Sequence, residues 1–88
     1  MDLFNYMEEV VKRSLEELLD EPAYKNIGLD EKAKLDVMAY CLNRLPPRYI
    51  VTEKGHLYSR LNELKQQFKT DIVVELSKAI EHVKANPR

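Results

Sequence analysis

Residues 34–49 read KLDVMAYCLNRLPPRY. Up to Leu45 the apolar residues recur at helical spacing. Pro46 and Pro47 then stop the helix, because a proline pushes the residue before it out of helical geometry and has no N–H to donate. Asp30 is suited to cap the start, so the pattern predicts a helix running to about Arg44. At about 100° per residue, Leu35, Met38, Ala39, Leu42 and Leu45 share one arc, which is the expected core face. Asp36, Tyr40 and Asn43 lie on another, at intervals of four and three, and Pro47 continues that stripe if the last turn persists. Val37 and Cys41 form a smaller apolar strip between the two. A helix with two apolar strips in so short a chain is expected to be covered on more than one side, by a partner subunit as well as by its own core.

Outward from this helix, LFNYMEEVVKRSLEELL spaces Leu3, Phe4, Met7, Val10, Val11, Leu15, Leu18 and Leu19 as an amphipathic helix, with Asp2 available as its cap. Pro22 and Gly28 break that pattern and mark a loop. After the double proline, RYIVTEKGH is β-branched and reads as an extended connector, able to pair as a strand with a second copy. Helical spacing returns from Leu57 to Val83, either as one helix or as two joined near Lys69–Asp71 with Thr70 as the cap. The expected architecture is all-α: a single domain over 1–88 with three to four helices. At 88 residues one apolar core is only marginally stabilising, which favours a homodimer.

A net charge of −1 argues against a bulk electrostatic grip on DNA or on an anionic membrane. Residues 1–31 carry −6, residues 32–69 carry +5 and the remainder is neutral, so the positive excess surrounds the quoted stretch. That distribution suits a small anion better than a duplex. Cys41 is the single cysteine, which excludes an internal disulfide framework and fits a reducing, cytoplasmic setting. The opening MDLFNYMEEVV has acids where a cleavable leader has bases, and no apolar run is of bilayer length. Catalysis finds no support either. His56 and His82 stand far apart, the serines sit in no nucleophile elbow, and Gly28 and Gly55 make no phosphate loop.

Taken singly, the polar residues of the middle helix have plain readings. Asp36 beside Lys34 or Arg44 is a surface ion pair, Tyr40 a core edge, Asn43 a C-terminal cap and Pro46–Pro47 a stop. Their convergence, with Arg48 and Tyr49 immediately after, favours a functional reading.

The same residues resemble the signature of the ComFB family of late-competence proteins: Asp36-Val37, Ala39, Leu42-Asn43, Leu45 and Pro46-Pro47-x-Tyr49 stand in its order. The resemblance extends to NYMEEVV near the start and to the long C-terminal helical region. It implies an all-helical, cytoplasmic, dimerising fold with no enzymatic activity. For some relatives it implies a cyclic dinucleotide ligand, chiefly cyclic di-GMP. Other relatives hold zinc through cysteines just before the second helix. This chain has NIGLDEKA there, far short of the four ligands a structural zinc needs, so no metal is expected.

A cyclic dinucleotide offers two phosphates and two purines. Lys34, Arg44 and Arg48 suit the phosphates, Arg with a forked geometry. Asp36 can accept from the N–H groups of a guanine edge, and Tyr40 and Tyr49 can stack a base at about 1–3 kcal/mol each. Asn43 can fix a turn or a base edge, and Pro47 shapes the adjoining surface. The ligand is two-fold symmetric, as are most dimers, so a shared pocket is expected. Cyclic di-AMP remains open beside cyclic di-GMP, and the downstream protein partner is not encoded in these residues. The alternative is a dimeric competence adaptor with no nucleotide ligand. Direct DNA binding ranks third, because no helix is densely basic.

Overall fold

Asp2–Asn5 forms a strand, β1, and the first helix, α1, runs over Tyr6–Leu19. The structure, a computed structural model, describes residues 1–87. The helix therefore starts later than the apolar spacing from Leu3 indicates, and its cap is Asn5 rather than Asp2. Asn5 has extended backbone angles, and its Oδ1 accepts from the Met7 N–H at 3.2 Å. The four preceding residues find partners elsewhere. They pair antiparallel with β2 (Tyr49–Thr52), with Leu3 opposite Val51 and Phe4 opposite Ile50. A ladder gives those backbone groups partners, and the pleat turns half-buried Phe4 and Ile50 toward the core. The fold is thus mostly helical with a small two-stranded sheet, an element the all-α expectation lacks.

The second helix, α2, spans Glu31–Arg44, and Asp30 caps it by accepting from the Ala33 N–H at 2.8 Å. Gly28, at φ +74°, supplies the left-handed turn that leads into this cap. After β2 come α3 (Lys54–Gln67) and α4 (Lys69–Ala85). Residues 57–85 are therefore two helices. Their junction is Phe68, at φ −110° and ψ 14°, and Thr70 lies inside the first turn of α4 instead of capping it.

The core is one cluster. Val10, Val11 and Leu15 of α1 meet Leu57 and Leu61 of α3 and Ile72, Leu76 and Ile80 of α4, all at or near full burial. From α2 it takes Val37 and Cys41, both 0% exposed. This reverses the expected assignment of faces. Of the arc predicted to be core, only Leu45 is buried; Leu35 is 64% exposed, Ala39 is exposed, and Met38 and Leu42 are half-buried. The reason is that α2 packs chiefly on α4, and the narrow Val37–Cys41 strip fits that seam closely. The broader apolar arc is left at the surface.

Candidate ligand-binding site

The residues after the double proline are held by the start of α1. Asn5 Oδ1, besides capping α1, accepts from the Arg48 N–H at 3.0 Å, and the Tyr6 N–H donates to the Arg48 carbonyl at 2.9 Å. The Arg48 guanidinium lies over the Phe68 ring, 5.0 Å from its centroid, which ties the same turn to the α3–α4 junction. Asn5 and Arg48 therefore form a clasp that ties the turn after Pro46–Pro47 to the start of α1, where Asn5 pairs with Tyr49 in the sheet.

Chemistry available to a ligand gathers one step away, at the C-terminal end of α2. The Arg44 guanidinium lies 3.5 Å from the centroid of the Tyr40 ring, and its Nη1 donates to the Tyr40 carbonyl at 3.2 Å. The His82 ring of α4 sits 4.9 Å from the same tyrosine, tilted by 35°. Tyr40 is thus already engaged, and the stacking plane presented outward is that of the exposed Arg44. Beside it opens a hollow of about 240 Å³, lined by Arg44, Leu45, Pro46, Asp71, Val74 and Glu75.

Glu75 is the notable member. Its Oε2 is buried and accepts no hydrogen bond among the described residues, while Oε1 faces Lys78 at 3.7 Å. A buried oxygen left without a donor costs about 1–3 kcal/mol. Glu75 also reaches α2 electrostatically. The Cys41 thiol is pushed up to about 12, by burial first and by Glu75 second, with Arg44 opposing. The thiol stays neutral and is not a nucleophile at ordinary pH.

The structure brings together part of the expected set. Asp36, Tyr40, Asn43 and Arg44 lie along one side of α2, with Asp36 about two turns from Arg44, beside a separate hollow of about 230 Å³ at the Ile27–Asp30 loop and Lys84. Lys34 is not among them. It faces α1 on the other side of the helix, with Glu31 at 3.5 Å. Arg48 is engaged with Phe68, and Tyr49 projects from the sheet, 62% exposed. One protomer therefore does not gather all eight residues into one pocket.

Glu75, Asp71 and His82 were not expected. The available signal was in α4, where Asp71 and Glu75 stand four apart and flank the buried Ile72–Leu76 stripe. It carries meaning only once α4 is known to lie against α2. Among the described residues, no group of three or more His, Cys, Asp or Glu is placed to hold a metal ion, and no helix is long and apolar enough to cross a membrane.

Comparison with curated protein sequences finds no match. Among solved structures the chain is similar to the late competence protein ComFB from Bacillus subtilis. The TM-score is 0.75 and the identity 26%, with 99% of this chain and 93% of that one covered. The family model described as late competence development protein ComFB matches residues 4–87. With the family model matching nearly the whole length and the fold in agreement, the chain belongs to the ComFB family.

Proposed function

We propose that this protein is a non-enzymatic receptor for a cyclic dinucleotide, with cyclic di-GMP first and cyclic di-AMP second, and that it relays the ligand's presence to a protein partner. The observation that carries the reading is the hollow at Arg44, whose lining holds both a guanidinium plane and the carboxylate of Glu75. A guanine laid on Arg44 directs its N–H edge to Glu75, and a phosphate takes the remaining donors of the Arg44 fork. Adenine offers fewer donors to a carboxylate, which sets the preference. A nucleotide messenger and a free, buried thiol both suit the cytoplasm.

A homodimer belongs to this reading. The outer face of the sheet carries Leu3 and Val51 directly opposite one another, 67% and 64% exposed, with Tyr49 next to them. Two strands alone are marginal in water. This same exposed pair favours the second reading, a dimeric competence adaptor that uses no nucleotide.

Calorimetric titration with cyclic di-GMP, cyclic di-AMP and GTP decides between them. Micromolar or tighter binding of cyclic di-GMP is expected. It should fall at least about tenfold in Arg44→Ala and in Glu75→Gln, about 1.4 kcal/mol each. Silence toward all three nucleotides from a folded wild-type protein leaves the adaptor.

A further inference from the structure

We propose that the groove between α1 and α2 is a docking site for a short amphipathic helix of another protein, one that carries a large apolar anchor and basic flanks. The groove has a volume of about 340 Å³, with Leu15 and Leu19 of α1 facing Leu35 and Met38 of α2. Leu35 is 64% exposed, a high value for a leucine in the middle of a helix, and Met38 supplies an adaptable apolar wall. An apolar trough between two helices is the surface onto which a third helix lays its own stripe.

The charge of the rim selects the occupant. Along α1 the rim residues recur every four positions as Lys12, Glu16 and Asp20, and the exposed Glu8 continues the row toward the N-terminus. Across the groove, Lys34 faces Glu31 at 3.5 Å, so that pair nearly cancels. Lys12 offsets one acid of the row, which leaves the rim net acidic, and a helix flanked by Lys or Arg complements it. A second copy is a poorer occupant: it brings only its own Lys12 to the acids of the row, where a helix flanked by Lys or Arg brings several cations. The groove also lies across α2 from Asp36, Tyr40 and Arg44, so nucleotide and helix occupy different faces of one helix. This site extends the relay in the proposed function, yet it is tested without any nucleotide.

The probe is a displayed library of 14-residue helices, with leucines fixed at helical spacing and the flanking positions randomised over Lys, Glu and Gln, panned on the full chain. Lys-rich flanks should be enriched. Binding of the selected peptides should fall at least about tenfold in Leu35→Glu and in the Glu16→Lys/Asp20→Lys double variant. The double variant should in turn select Glu-rich flanks. Leu35 is already at the surface, so its replacement tests the groove and not the fold; an unchanged melting profile verifies this. Failure to enrich any peptide, enrichment indifferent to flank charge, or selected peptides that bind Leu35→Glu normally each overturn the proposal. So does a wild-type assembly whose mass halves in Leu35→Glu, since a second copy then fills the groove.

Discussion

The side-chain oxygen of Asn5 accepts from two backbone N–H groups, those of Met7 and of Arg48, the latter 43 residues away in the chain. It caps α1 and holds the turn after the double proline at once, so its loss leaves two donors to find water. Asn5→Ala is expected to lower stability by about 1–2 kcal/mol, the upper part of the range for a lost cap. Asn5→Asp, which keeps the accepting oxygen, should recover most of it. Urea denaturation followed by circular dichroism measures both, and equal stability of the alanine variant and the wild type refutes the clasp. The asparagine was legible in the sequence as a feature of the NYMEEVV segment. Its role was not, because the donor it serves is brought to it only by the β1–β2 pairing. The setting of Arg48 was hidden for a related reason. A lone arginine after Pro-Pro has the chemistry of a phosphate ligand, and only the position of Phe68 shows where its guanidinium rests.

Helix α2 shows what periodicity can and cannot determine. Its limits followed directly from Asp30 and from the prolines, since capping and stopping are local events. Its rotation did not, because the helix has two apolar arcs and the choice between them is made by α4. The wider arc won the count of residues, whereas the Val37–Cys41 strip won the burial. The energetic consequence runs opposite to hydrophobicity by residue. Val37→Ala should cost about 2 kcal/mol, from lost burial plus an incompletely closed cavity. Leu35→Ala, although it deletes more carbon, should stay within about 0.5 kcal/mol because the side chain already meets solvent. Thermal unfolding of the two single variants separates the cases, and a larger penalty at Leu35 than at Val37 contradicts the observed rotation. The rotation also explains the candidate site. It carries Tyr40 and Arg44 to the α4 side, where His82 and Glu75 meet them, and it turns Lys34 away toward α1.

At the scale of the molecule, three surfaces share 88 residues: the Arg44 hollow, the α1–α2 groove and the outer face of the sheet. The last follows from the smallness of the fold. A two-stranded sheet covers the core with one face, and among the described residues the other face stays open, so Leu3 and Val51 remain in water. In the proposed homodimer, pairing with a second copy removes them and brings two sets of α2 residues into one assembly, which matches the symmetry of the proposed cyclic dinucleotide ligand. The double variant Leu3→Glu/Val51→Glu is therefore expected to halve the mass measured by light scattering while retaining its helical circular dichroism. Four carboxylates brought together at a two-fold contact repel, whereas on a free monomer surface they are solvated at little cost. Affinity for cyclic di-GMP should fall with the mass if both protomers contribute to one ligand, and should hold if each Arg44 hollow works alone. A wild type that is already monomeric at millimolar concentration, or a variant that keeps the wild-type mass, removes the sheet from the interface.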